Sequence, residues 1–449
     1  MIERRSGLLE QKVWVLSVVL PLLCAANIEA GARSHEDGPR MQGSPQQAPA
    51  PQTPAAAGQA RRLRVFLDCQ DCFQDYLRDE IRWVDFVRQR EDADVHILSS
   101  STSTGGGGRE VVLRFVGLGR FQGVDHEHRA ITMVADPEEV RRRQVFQAVT
   151  IGLLDYLSHE GLAADITVNV RAADPEAAAA AAVRDPWNFW VFSLEGGASI
   201  NAEETNRESQ FNLQASADRV TEAWKISFGA EFEEERERFD LDEDEPSEFR
   251  THSRGVSFFV ARSLGPHWSF GIQGDVDSSS FGNTRISAGA APAIEFSVFP
   301  YSQYASRQLR IQYEIGPVHA RYNEITLFDQ VRETRGQHEM SISLEQRQPW
   351  GTLDAGFEFS QYLHDRSKYR LEVDGDISIR LFRGFSLSLE GSASRIRDQL
   401  SLPRRDATPE EVLLRLRELQ SGYDLQFDIN LSYSFGSLFN NIVNPRFGS

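Results

Sequence analysis

From residue 186 to residue 436 the chain repeats one pattern about twelve times: runs of roughly 10–16 residues in which apolar and polar side chains alternate. The clearest run is the last, GYDLQFDINLSYSFG. Tyr423, Leu425, Phe427, Ile429, Leu431, Tyr433 and Phe435 take every second place, and Asp424, Gln426, Asp428, Asn430, Ser432 and Ser434 fill the places between. Successive side chains of a strand point to opposite faces, so each run is a strand with one dry and one wet side. Strands of soluble proteins average about 5–6 residues, whereas about 9–11 are needed to cross a bilayer at a tilt. The dry face therefore meets either a second sheet or lipid.

The connections favour lipid. Counting from the first strand, the odd-to-even links tend to be long (FDLDEDEPSEFRTHS, YNEITLFDQVRETRG and IRDQLSLPRRDATPEEVLLRLRELQS), and most even-to-odd links are tight (SLGPH, RQPW and FRG). Long loops on one rim and short periplasmic turns on the other characterise outer-membrane barrels. An even strand number returns both chain ends to the periplasmic rim. Trp190, Trp268, Trp350, Tyr369, Tyr423 and Tyr433 flank the dry bands as interfacial girdles do. On these features residues 186–436 resemble bacterial outer-membrane β-barrel proteins as a broad class. The resemblance implies an all-β transmembrane antiparallel barrel of about 12 strands, porin-like and set in a Gram-negative envelope. Outer-membrane lipid and the barrel-assembly machinery are the partners it implies. Such barrels usually stop at the final strand, but GSLFNNIVNPRFGS continues past Phe435 and places Phe447 near the end, so two aromatics compete as the assembly signal. Residues 437–449 read as a periplasmic tail whose Leu438, Phe439, Ile442 and Val443 need a surface to dock on.

The N-terminal part differs in character. Arg4, Arg5 and Lys12 precede an apolar core from Val13 to Leu23 and a small-residue exit through Ala25, Ala26 and Ala30, so residues 1–30 read as a secretory signal peptide. A lipoprotein reading on Cys24 is poorly served by Leu22 and Leu23, which stand where small residues are wanted. Residues 31–61, rich in Pro, Ala and Gln, lack apolar periodicity and read as a disordered tether. A small periplasmic α+β domain follows over 62–171. Its strands are LRVFLDC, ADVHILSS, REVVLRFVGL, HRAITMV and ITVNV. One helix carries Phe73, Tyr76, Leu77, Ile81, Val84 and Val87 on a single face, and a second starts with Asp136 as N-cap and Pro137 as its first residue. This β-α-β-β-α-β order resembles the small periplasmic domains of the TolB N-terminal and curli-secretion-channel families, in topology alone. An Ala-rich linker, 172–185, leads to the barrel.

Candidate sites are few. With Cys24 removed by processing, Cys69 and Cys72 remain as one close pair in an oxidising compartment. Their place between strand and helix is that of a thioredoxin-type redox motif, but Asp68 and Asp71 disfavour a thiolate and a structural disulfide is the plainer reading. Gly105 to Gly108 lacks the Lys-Ser/Thr of a phosphate loop and reads as a hairpin loop. His126 and His128 share one strand face and invite a metal, but no third ligand is near in sequence; surface histidines are the plainer reading and no metal site is assigned. Asp240, Asp242 and Asp244 resemble half a calcium loop, but Glu245 stands where Gly is needed and Thr251 where Glu is needed, so a solvated acidic extracellular loop is the plainer reading. No nucleophile elbow appears, so no catalytic set is assigned, and no cofactor is implied.

The wet strand faces carry long side chains of both signs, among them Lys225, Glu231, Arg310, Glu314, Glu345, Arg370, Glu372, Arg380 and Glu390. In a narrow lumen opposite charges should pair, because an unpaired confined charge is costly. In the last long link, TPEEVLLRLRELQ reads as an amphipathic helix, with Val412, Leu413, Leu416 and Leu419 on one side, able to cap the extracellular mouth. A net charge of −18 excludes a phosphate-neutralising field, hence no nucleic-acid partner. The leading expectation is a narrow or gated channel for small polar solutes. The alternatives are a structural or assembly protein whose barrel anchors the periplasmic domain to envelope partners, and a thiol–disulfide oxidoreductase using Cys69 and Cys72.

Overall fold

The computed structural model describes residues 62–69, 72–159, 185–239, 247–408 and 417–437. The expected signal peptide, both linkers, the ITVNV strand, the acidic run from Asp240 to Glu245, helix residues 409–416 and the tail from Leu438 onward lie outside the described residues. No described helix is long and apolar enough to cross a membrane, which says nothing about strands.

The α+β region runs β1 (Arg64–Asp68), α1 (Gln74–Glu80), β2 (Asp85–Val87), β3 (Val95–Ser103), β4 (Arg109–Gly117), β5 (Asp125–Thr132) and α2 (Glu138–His159). Its sheet has the order β2-β1-β3-β4-β5, with β1 parallel to both neighbours and β3, β4 and β5 antiparallel. The first helix is shorter than its apolar spacing predicts. Ile81 donates its backbone N–H to Leu77 and ends the helix, and Asp85, Phe86 and Val87 pair with Arg64, Val65 and Phe66 instead. Val84 and Val87 are buried, but not on a helical face: β-branched and aromatic residues beside a free strand edge gain more from the ladder than from another helical turn. The second helix starts at Glu138, and the Asp136 carboxylate accepts the Met133 N–H rather than capping it.

Val145, Ala148, Val149, Gly152, Leu153 and Tyr156 lie three or four residues apart and bury one face of α2 against Ile97, Leu113 and Phe115 of the sheet. Each fully buried apolar side chain here contributes about 1.5–3 kcal/mol. The helix approaches closely because Gly152 has no side chain: a Cβ there would fall 2.2 Å from Phe115 Cζ.

The second sheet contains β6 (Trp190–Ala202), β7 (Asn206–Val220), β8 (Trp224–Phe239), β9 (Ser247–Ser263), β10 (Trp268–Ser279), β11 (Thr284–Ser297), β12 (Arg307–Tyr322), β13 (Arg332–Gln348), β14 (Gly351–Tyr362), β15 (Tyr369–Phe382), β16 (Phe385–Ile396) and β17 (Tyr423–Tyr433). It is a 12-stranded antiparallel meander in which each strand pairs with its chain neighbours. Strands run from 11 residues (β17) to 17 (β9 and β13), far beyond the usual length. Pairing is in the order β6 to β17, and no β6–β17 ladder occurs among the described residues.

Links 221–223, 264–267, 349–350 and 383–384 make one rim tight, with 298–306 as its longest member. The other rim carries 240–246, 323–331, 363–368 and 397–422, besides the short 203–205 and 280–283. The two-residue turn before β16 depends on Gly384, whose φ of 73° suits glycine and whose Cβ would fall 2.1 Å from the Ser434 carbonyl.

Candidate functional site

The 12-stranded sheet inverts the usual burial. On one face Leu194 is 74 % exposed, Ile200 73 % and Leu425 71 %, and this face continues through Phe228, Val256, Ile272 and Phe427. On the opposite face, among the charged side chains, Glu333 keeps 11 % of its surface and Arg335 13 %. In water a sheet ordinarily hides its apolar face and solvates its charges, whereas here the apolar face is left uncovered by the described residues.

Aromatic rings mark the short-link rim. Trp187, Trp190, Trp224, Trp268 and Trp350 stand at or just before the first residues of β6, β8, β10 and β14. Trp190 stacks with Phe192 and Phe228, Trp268 lies 4.6 Å from Phe296, and Phe382, Phe385, Tyr433 and Phe435 form a chain of contacts at the ends of β15, β16 and β17. Tyr369 and Tyr423 start β15 and β17 at the other rim. Amphipathic rings in such a row suit the boundary between an apolar band and water.

The polar face is predominantly acidic. Strand register sets Glu314 beside Glu339, Glu358 beside Glu372, and Glu390 between Asp376 and Asp428. Gln273 donates to Glu314 from two strands away, across β11, where Gly289, Ala291 and Ala293 leave room. The ion pairs on this face join neighbours: Arg310 to Glu345 at 3.1 Å, Arg347 to Asp354 at 2.7 Å, and Arg370 to Glu372 at 3.1 Å. Glu231 faces Gly255 on the adjacent strand, and the Lys225 ammonium lies 6.0 Å from the Phe259 ring. Arg380 turns away from the face's carboxylates to Asp68 of the α+β region.

That contact is one of several by which the α+β region sits on the short-link rim. Arg380 donates to Asp68 Oδ1 and lies over the Phe66 ring, Arg383 donates to Asp92 at 2.6 Å, and Gln89 donates to the Ser434 carbonyl at 3.3 Å. Tyr304, in the 298–306 link, donates to Glu110 and accepts a bond of 3.2 Å from Arg129. The glycine loop at 105–108 is a hairpin turn, closed by the Thr104 N–H on the Gly108 carbonyl, and its tip touches Val220 at the end of β7. The contacts thus reach the ends of β7, β11, β15 and β17, spread along the whole sheet. Behind Asp68, the buried His96 Nε2 stands 3.0 Å from Oδ2. Burial lowers the His96 pKa and holds the ring neutral, with the proton on Nε2 for Asp68, while Nδ1 has no partner among the described residues. Burial alone would raise Asp68, but the bonds from His96 and Arg380 outweigh it and keep the carboxyl below its usual range.

At the opposite rim the last link folds back across the sheet. Leu327 N–H donates to Leu402, Arg404 N–H to Ile325 and Glu418 N–H to Phe281, all near 3 Å, and Leu400 and Leu402 are buried. One residue staples three links together. Asn283 is 4 % exposed with φ 54°, and its amide donates to the carbonyls of Ser401 (2.6 Å) and Glu324 (3.1 Å) while accepting the Glu324 N–H (2.8 Å). The SFGNT turn shows an Asn suited to a left-handed position, but not its partners. From this loop Asp398 reaches the polar face and binds Arg370 at 3.0 Å. Of the expected capping helix, Leu419 is described and lies in an irregular stretch, 44 % exposed.

A disulfide joins Cys69 and Cys72, with both residues buried beside α1. Thr251 lies within β9 and bonds Glu235, so it belongs to the sheet ladder rather than to an ion loop. No family model matches the chain, and no curated protein matches its sequence.

Proposed function

We propose that β6 to β17 close into an outer-membrane barrel whose apolar face meets lipid, and that this barrel is a narrow, gated channel for small polar solutes. The observation that carries the reading is the inverted burial: exposed Leu194, Ile200 and Leu425 outside, half-buried carboxylates and guanidinium groups inside. The aromatic row on the short-link rim supports the same placement, with that rim periplasmic. Both mouths have a cover. The α+β region is fastened to one rim through Arg380 and Arg383, and the 397–422 link is stapled over the other through Asn283. The acidic interior favours cations over anions.

The test has two parts. Protein extracted from outer membranes with detergent should migrate faster in SDS before boiling than after, and planar bilayers containing it should show small, cation-preferring conductance. Recovery as a soluble periplasmic protein would overturn the barrel. Conductance absent in both the wild type and a variant with the long-link cover loosened would favour the second reading, in which the barrel anchors the α+β region. The breadth of the rim contacts supports that second reading too. Burial of both sulfurs speaks against a thiol–disulfide enzyme.

A further inference from the structure

The two histidines that lacked a third ligand in the sequence acquire one in the fold. His126 and His128, two apart on β5, project to the face that packs on α2, and Asp155 of α2 meets them there. One potential ligand atom from each lies within 4.8 Å of the others, and His126 Nε2 is 3.7 Å from Asp155 Oδ2. Zinc bound tetrahedrally at about 2.0–2.1 Å sets its ligand atoms about 3.4 Å apart, so closure asks for movements of about an ångström. The exposed Asp155 side chain is free to supply much of that movement.

The surroundings hold both rings. Phe115 stacks on His126 at 4.9 Å with an interplanar angle of 13°, and meets His128 edge-on at 5.7 Å. The Tyr156 ring lies 5.2 Å from His126, and its hydroxyl donates to the Val124 carbonyl at 2.6 Å. Gly152 makes the encounter possible, since any side chain there would hold α2 away from Phe115 and so Asp155 away from the histidines. Without metal, His126 Nε2 donates to the Gly152 carbonyl at 3.0 Å, so a metal at that nitrogen replaces this bond and the ring proton passes to Nδ1.

We infer that His126, His128 and Asp155 form a binding site for a divalent transition-metal ion of the zinc class, with water in the remaining position. Two imidazoles and one carboxylate select such an ion over calcium or magnesium, which prefer all-oxygen sites. The bound ion ties β5 to α2. On the other face of β5, Arg129 is bonded to Tyr304 of the short-link rim, so the ion would stiffen the strand through which this rim contact is made.

The experiment uses the full-length protein in detergent, stripped with a chelator and titrated with Zn²⁺ against a chromophoric indicator, with Co²⁺ as a spectroscopic substitute. One equivalent should bind, with a Co²⁺ spectrum of a four-coordinate site. His128→Gln should weaken binding by more than the roughly 10–100-fold cost of losing an outer-shell partner. Asp155→Asn, at an exposed position, should weaken it measurably while the far-UV spectrum is unchanged. Histidines elsewhere, such as His364 in the 363–368 link, provide the control. Binding that is absent in the wild type, or that survives in His128→Gln but is lost in His364→Gln, would overturn the site and leave adventitious binding only.

Discussion

Removing the Asn283 side chain should release the cover of the long-link rim. In the native chain its amide makes three hydrogen bonds to the backbone of two other links, at 2.6, 2.8 and 3.1 Å, in a site only 4 % exposed. Each such bond contributes about 1 kcal/mol net, so Asn283→Ala forfeits about 3 kcal/mol. The backbone φ of 54° adds to this, since alanine pays about 1–2 kcal/mol in the left-handed region that asparagine and glycine visit readily. The expected loss is about 4–5 kcal/mol for Ala and about 3 kcal/mol for Asn283→Gly, which keeps the conformation and loses the bonds. The loss should be local, because the ladders of the sheet do not depend on the amide. Hydrogen exchange reads it directly. The amides of Glu324, Leu327 and Arg404 donate to Asn283, Leu402 and Ile325, and their exchange should accelerate by roughly two decades in the Gly variant and roughly three to three and a half in the Ala variant, with slow exchange retained in β12 and β13. Single-channel conductance should rise in the same variants. Unchanged exchange at these three amides would refute the staple. Accelerated exchange with unchanged conductance would refute the idea that the staple holds a cover.

Three further outcomes follow from the α+β region. Asp68→Asn and Arg380→Gln, taken through a double-mutant cycle and read by protease sensitivity of the region at the rim, should couple by about 1–2 kcal/mol. That lies between exposed and buried pairs, because the two side chains are 18 % and 35 % exposed. Acid should loosen the region progressively. Burial holds the folded pKa of His96 below its ordinary 6.5, and Asp68, kept low against burial by His96 and Arg380, lies below 3.8. The unfolded chain thus takes up protons first in both windows, so stability is full above about pH 6.5, falls below it, and falls again below about pH 4. A denaturation midpoint of the region, followed by Trp83 emission, that rose on acidification would contradict this. Changing both Cys69 and Cys72 to Ser should cost the α+β region at most about 2–3 kcal/mol, since the closed loop is short, and should leave heat-modifiable migration intact. Loss of that migration would mean the bond supports the barrel.

Alternation with period two is a local property, and it was enough to place the strands of the large sheet, their wet and dry sides and the unequal rims, because strand geometry alone decides where each side chain points. The existence of α2 was legible too, but its buried face, Val145 to Tyr156, was read only from its packing on the sheet. The segment 85–87 was not: its apolar spacing fits a helix as well as a strand, and only the free edge of β1 settles the choice. The functional features lie still further from local pattern. Asn283 meets Ser401 across 118 residues, Asp68 meets Arg380 across 312, and the histidine pair finds Asp155 on a different element altogether. Which carboxylates face one another was likewise decided by register. Composition and periodicity specify surfaces that must be covered. Which surface covers which depends on contacts between residues far apart in the chain, and these exist only once the backbone has folded.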